Sequence, residues 1–224
     1  MFQKNLRDII LGGQDGIVNV LGVVLGVSAA TSDLKIIIVS GLAATFAESI
    51  SMAAVAYTST EAELSEYQKN LKSEKEDIKN DREGDVEDVR KVFRKWGFEA
   101  DLLEKAVQKI TETKERWASF MMQEELKLSK SQIEKPFYSA VVVGTSSLLG
   151  SFIPLLPFFF IKEVLASAYL ALILSATTLF ALGFLKAKKT VGNPLNSGIK
   201  MMAIGMASAV VGYIIGYILG GKNI

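Results

Sequence analysis

Residues 9–32 read IILGGQDGIVNVLGVVLGVSAATS, an apolar run of helical length with one charge, Asp15. A helix needs roughly 20 predominantly apolar residues to cross the hydrocarbon core of a bilayer, so this stretch sets the class of protein. Four further stretches meet the same condition. Residues 36–57 carry one charge, Glu48, and residues 137–161, 164–185 and 201–221 carry none. The first run is too long and too glycine-rich for a signal-peptide core and lacks a small-residue cleavage pattern, so it reads as a retained helix. No strand-period alternation occurs. The fold class expected is an all-α membrane protein with five transmembrane helices and a helical-bundle insert between helices two and three.

The composition of the 224 residues agrees only if charge is segregated. Half of them are hydrophobic and mean hydropathy is +0.30, yet 22% are charged. Residues 59–136 hold 19 of the 24 acidic and 16 of the 25 basic residues. Three segments follow: 1–58 with spans one and two, 59–136 as an acidic helical metal-binding domain, and 137–224 with spans three to five. Lys4 and Arg7 precede span one, and Lys186, Lys188, Lys189 and Lys200 lie between spans four and five, whereas the opposite loops carry only Lys35 and Lys162. Lys and Arg in short loops set orientation, so the N-terminus and the insert are expected in the cytoplasm.

Absent residues exclude chemistry. Without Cys there are no disulfides, thiolate metal sites or Cys nucleophiles. Without His there are no triads, imidazole zinc sites or imidazole proton shuttles. A net charge of +1 gives no bulk attraction to nucleic acid. Carboxylates, amides, hydroxyls and thioethers remain.

Glycines recur at four-residue spacing: Gly12 and Gly16, Gly22 and Gly26, then Gly212, Gly216 and Gly220. Such rows let helix backbones approach closely in lipid, either within one chain or between subunits. Pro154 and Pro157 should kink or end the third span. In the insert, helix formers from Thr58 to about Lys79 extend span two as one long helix. Gly84 should break it and Asp85 cap the next helix, with Val86, Val89, Phe93 and Trp96 on one face and Gly97 as its stop. A third insert helix, about 99–110, offers Leu102, Leu103, Ala106, Val107 and Ile110, and a fourth runs from about 112 to 128.

Charged residues on such helices are usually a solvated face. Glu63, Glu66, Glu74 and Asp77 differ, because at helical periodicity they fall within an arc of roughly 80°. Like charges on one face repel unless a cation sits there, either a metal ion or Lys69, Lys72 and Lys75. Met121 and Met122 precede Glu125 by one turn, so one face can offer thioether and carboxylate together, unless the methionines fill the bundle core. A mixed donor set suits a first-row transition ion better than Ca²⁺ or Mg²⁺.

Asp15 and Glu48 lie inside spans, where a charge costs at least about 2.5–3.5 kcal/mol. Asn19 follows Asp15 by one turn, and Met52 follows Glu48 by one turn, with Thr45 adding a hydroxyl. These are two half-sites for a transport pathway, or polar contacts between helices. Buried carboxyls can also exchange protons without histidine.

The chain resembles the vacuolar iron transporter family over essentially its whole length, in its subtype with a cytoplasmic metal-binding domain. The resemblance rests on Arg7-Asp-Ile-Ile-Leu-Gly-Gly-Gln-Asp15-Gly16, Ser51-Met52 followed by Tyr57 and Ser59, Met121-Met122-Gln-Glu-Glu125-Leu, Ile153-Pro-Leu-Leu-Pro157 and Pro194-Leu-Asn-Ser-Gly-Ile-Lys-Met201. It implies a five-span homodimer in membrane lipid that moves Fe²⁺, and often Mn²⁺, out of the cytosol in exchange for H⁺, with no permanent cofactor and no enzymatic activity. It further implies a path along spans one and two through Asp15, Glu48 and Met52. Metal capture would fall to Met121, Met122, Glu125 and the Glu63–Asp77 stripe, with Glu61 as a competing register. Val55 and Ala56 depart from a Gly-acidic pair common in the family. The membrane would be the plasma membrane of a prokaryote or a vacuole-like membrane of a eukaryote. The alternative is a membrane-anchored metal sensor or storage module without transport. A ferroxidase is disfavoured by the lack of His and Cys, and lipid scaffolding leaves Asp15 and Glu48 unexplained.

Overall fold

The computed structural model describes residues 2–124, 127–128, 135–190 and 192–220. Those residues form helices and no strand: α1 (Phe2–Ala30), α2 (Leu34–Asn80), α3 (Arg82–Lys95), α4 (Ala100–Thr111), α5 (Lys114–Glu124), α6 (Pro136–Phe160), α7 (Val164–Lys189) and α8 (Pro194–Leu219). Five of them, α1, α2, α6, α7 and α8, are long and apolar enough to cross a membrane. The chain divides into two compact units, Met1–Tyr57 with Pro136–Ile224, and Thr58–Lys135.

The first unit is organised around α1. Half of its apolar window is buried against other helices, compared with 11% for α8. Val20, Leu21, Val24 and Leu25 of α1 share one core with Ile37, Leu155, Phe158, Ala171 and Ala209 from the other four helices. The glycine rows make this possible, and all three are used within the chain. A Cβ on Gly12 or Gly16 would overlap the α6 backbone at Val143 and Ser147, and one on Gly212 or Gly216 would overlap the α1 backbone at Gly22 and Gly26. The paired numbers rise together, so α1, α6 and α8 run parallel. Gly144 against Ala53, and Gly41 against Leu155, set α2 antiparallel to α6. Gly183 against Ser197, and Gly205 against Leu179, do the same for α7 and α8. Within this unit, Tyr57 and Pro136 therefore lie at the end where α1 begins.

Pro154 and Pro157 both lie inside α6, which ends three residues after the second of them. The N–H of Ile161 still donates to the Pro157 carbonyl at 2.9 Å.

The second unit is a small helical bundle. Ile78, Val89, Phe93, Leu103, Val107, Trp117, Ala118 and Met121 form its core. Each large side chain buried there is worth roughly 1.5–3 kcal/mol of hydrophobic stabilisation. The boundaries correct the sequence expectation at several points. The chain breaks at Asp81, not Gly84, and Asp81 caps α3 in place of Asp85, accepting from the Gly84 N–H at 3.1 Å. A Cβ at Gly84 would run into that cap carboxylate, so the glycine lets the cap close. Gly97, at φ +87°, follows α3 as the stop. Trp96 is 51% exposed because α3 ends at Lys95 and the residue leaves the helical register. Its ring packs edge-on against Phe93 and Phe120. Leu102 is also exposed, since it stands about 100° from the Leu103–Val107 stripe. Among the described residues the last helix of the unit is α5, which ends at Glu124, short of the expected 128.

An ion pair ties α3 to α4. Arg90 pairs with Glu87 on its own helix and with Glu104 across the bundle at 2.9 Å. Hydrogen bonds from Arg90 hold the carboxyls of both glutamates below the usual range. Lys109, followed by Arg116, does the same to Glu112. A depressed carboxyl contributes stability above its unfolded value, and that contribution is lost as pH falls through the folded value.

Two outcomes are expected. Gly12→Ala should destabilise the purified protein, whereas the adjacent Gly13→Ala, whose Cβ would sit 3.8 Å from the Ser146 carbonyl oxygen, should be neutral or slightly stabilising. A comparison of melting temperatures in detergent checks this. Both tryptophans, Trp96 and Trp117, lie in the second unit, so their fluorescence reports its unfolding. Acidification below about pH 4.5 should lower its stability, and by less in Arg90→Gln.

Candidate functional site

Helical spacing brings the intramembrane polar residues together. On α1, Asn19 stands one turn after Asp15 and its amide Nδ2 donates to Asp15 Oδ2 at 3.3 Å. On α2, the Glu48 carboxyl faces Asp15 and Asn19, its main electrostatic neighbours. The two half-sites expected from sequence are therefore partly one site, with Asp15, Asn19 and Glu48 in a single cluster. Met52 follows Glu48 by one turn of α2 and is half-buried. Thr45 is not part of the cluster, because its hydroxyl turns back to the Gly41 carbonyl at 2.8 Å. Ser49 likewise bonds the Thr45 carbonyl at 2.7 Å.

The chemistry follows from the donor set. Two carboxylates side by side repel strongly, and a proton between them would relieve that repulsion. A divalent cation meets the same need with two charges. The donor set suits either a proton or a cation, with the Asn19 carbonyl oxygen as a neutral third donor. It is also open: Asp15 and Glu48 are half-buried and Asn19 is exposed. Asn19 borders a groove of about 740 Å³ whose walls include Gly22, Gly26, Ile36, Ser208 and Gly212.

In the second unit the acidic residues behave differently. Glu63, Glu66 and Asp77 are exposed and Glu74 is half-buried along α2. They flank the side that buries Thr60, Tyr67 and Ile78. At 1.5 Å per residue, Glu63 and Asp77 stand about 21 Å apart along the helix, so the stripe is two pairs, not one site. Lys72 pairs with Glu76 at 4.0 Å and Lys75 with Glu115 at 3.6 Å. Among the described residues, no group of three or more Asp or Glu is placed to hold one metal ion. Met121 belongs to the apolar core and Met122 is fully buried. Both fill space in the bundle, and Glu125 lies outside the described residues.

One residue escaped the sequence reading. Asp8 is 8% exposed and accepts a hydrogen bond from Ser139 Oγ of α6 at 2.7 Å. It stands one position before the apolar run that begins at Ile9. Its spacing of seven from Asp15, two helical turns, was the available signal.

Comparison with known proteins gives the kinship. The chain is 27% identical over 208 residues to the vacuolar iron transporter 1 of Tulipa gesneriana, covering 93% of this chain and 84% of that protein. It is 28% identical over 208 residues to the vacuolar iron transporter 1 of Arabidopsis thaliana, covering 93% and 83%. It is 25% identical over 224 residues to the protein CCC1 of Saccharomyces cerevisiae, covering 96% and 69%. The family model of the VIT family matches residues 6–217. With five helices able to span a membrane and a match over nearly its full length, the chain belongs to the VIT family.

Proposed function

We propose that this protein is a membrane transporter that moves Fe²⁺, and also Mn²⁺, out of the cytosol in exchange for protons. The observation that carries the reading is the meeting of Asp15, Asn19 and Glu48 inside apolar helices. Carboxylates at that depth are costly and mark ion paths, and oxygen donors with the nearby Met52 thioether suit a first-row divalent ion. The names of the Tulipa and Arabidopsis relatives, vacuolar iron transporters, support iron as cargo and a vacuolar membrane as the location.

In the mechanism, an ion arriving from the cytoplasmic side displaces the proton held between Asp15 and Glu48. The ion leaves on the far side when those carboxylates are reprotonated, so metal and protons travel in opposite directions. An exposed Asn19 and half-buried carboxyls cannot face hydrocarbon. A second copy of the chain over the same side of α1 and α2 would cover them, giving a homodimer with the path at its interface.

The 58–135 unit lies in the cytoplasm in this reading and gathers ions. The pairs Glu63–Glu66 and Glu74–Asp77 each need donors from elsewhere, and Met121, Met122 and Glu125 are the assigned partners. Because both thioethers are buried in the core, capture there requires α5 to shift.

The test is Fe²⁺ uptake into proteoliposomes with an acidic interior, while internal pH is followed. Metal entry matched by proton exit is expected. Asp15→Ala and Glu48→Ala should each lower the rate by at least roughly tenfold, and wild-type rates in both would sink the proposal. Replacing Glu63, Glu66 and Glu74 together by Gln should raise the half-saturating Fe²⁺ concentration and leave the maximal rate nearly unchanged. Metal bound without any flux would instead favour a sensor or storage role.

A further inference from the structure

Five acidic residues belong to the membrane-spanning unit: Asp8, Asp15, Asp33, Glu48 and Glu163. Asp33 accepts from the N–H groups of Lys35 and Ile36 at the start of α2. Glu163 occupies the N-cap position of α7. Asp15 and Glu48 form the transport cluster. Asp8 remains, and it is the most buried of the five.

Its surroundings do not balance a negative charge. Ser139 Oγ donates to Asp8 Oδ2 at 2.7 Å. Among the described residues no other hydrogen bond reaches the Asp8 side chain and no ion pair includes it. An ionised carboxylate offers about four acceptor sites, and one neutral hydroxyl fills one of them. Ser139 lies in the first turn of α6, so the positive end of that helix dipole adds some compensation. A buried carboxylate with so little cover is a functional candidate by default.

Its position says which function. Asp8 precedes Asp15 by two turns, about 10 Å along α1. At 100° per residue, Asp8, Asp15 and Asn19 fall within an arc of roughly 40°. Asp8 is also nearer the end of the unit where Tyr57 and Pro136 lie. That is the end from which the cation arrives if the transport reading holds.

We infer that Asp8 is a second carboxylate station on the transport path, taking the divalent cation at the N-terminal end of α1 and passing it to the Asp15–Glu48 pair. Ser139 is its positioning residue, holding the carboxylate toward α6 while leaving one oxygen for the ion. The cation supplies the counter-charge that no described side chain provides. This inference rests on the transport reading.

The experiment compares initial Fe²⁺ uptake in proteoliposomes for wild type, Asp8→Asn, Asp8→Glu, Ser139→Ala and Asp15→Asn. Asparagine keeps an oxygen that accepts the Ser139 hydrogen bond, so the link between α1 and α6 survives while the charge is lost. Asp8→Asn should lower the rate roughly tenfold and raise the half-saturating Fe²⁺ concentration, with an unchanged melting temperature. Asp8→Glu should retain more flux than Asp8→Asn. Ser139→Ala should show a smaller loss that Ser139→Thr restores. If Asp8→Asn transports like wild type while Asp15→Asn does not, Asp8 is only a helix–helix tie and the inference falls. Equal loss in Asp8→Glu and Asp8→Asn would also overturn it. If wild type carries no Fe²⁺, the transport reading fails first and takes this inference with it.

Discussion

The membrane-spanning unit depends on how closely other helices approach α1. Lipid tails are as apolar as leucine, so helices in a bilayer gain little from hiding apolar surface and associate through van der Waals contact and polar links. Contact at backbone distance requires that side chains be absent. Gly12 and Gly16 provide this against α6, and Gly22 and Gly26 provide it against α8 with Gly212 and Gly216 facing them. The remaining side of α1 supplies Val20, Leu21 and Val24 to a core shared by all five helices. The same helix carries Asp8, Asp15 and Asn19. Because α1 meets both α6 and α8 at backbone distance, the polar residues it carries are held in fixed register against α2 and α6.

The two units solve different problems. In the first, apolar side chains outside the helix contacts meet lipid, which is why Leu149, Phe160 and Leu219 are 70%, 81% and 79% exposed without consequence. In the second, exposure to water makes burial worthwhile, and the core gathers Phe93, Trp117 and Met121. Its surface pairs, such as Lys72 with Glu76, are solvated and contribute little. The Arg90 network is the exception, since one guanidinium bonds carboxylates from two helices.

Much of this was legible in the sequence. Hydropathy gave the five spans, and the absence of helix breakers gave the long α2. Helical periodicity placed Asp15 with Asn19. What failed failed for local physical reasons. Asp81, not Asp85, caps α3 because a cap needs a free backbone N–H three residues on, and Gly84 leaves room for it. Gly84 read as a breaker when it is a cap partner. Leu102 read as core because apolar type was counted without its angle. The use of the glycine rows could not be settled from spacing, since small residues serve packing within a chain and between chains equally. Nor could the meeting of Asp15 with Glu48, because it depends on the rotation of α2 about its axis. That rotation is set by distant contacts such as Ala53 on Gly144.

The lack of histidine and cysteine matters beyond exclusion. A thiolate or imidazole site binds transition metals tightly and needs a large free-energy input to release them. A pair of carboxyls with one amide is a weaker and more even-handed host. In the exchange proposed above, proton and cation compete for the same oxygens, and neither is held by a ligand that the other cannot replace. Their placement in apolar helices sharpens the competition, because low dielectric penalises a site left with uncompensated charge. In that exchange, occupancy by one ion expels the other, so coupling would follow from the energetics of the cluster itself, with the surrounding helices deciding which side of the membrane it faces.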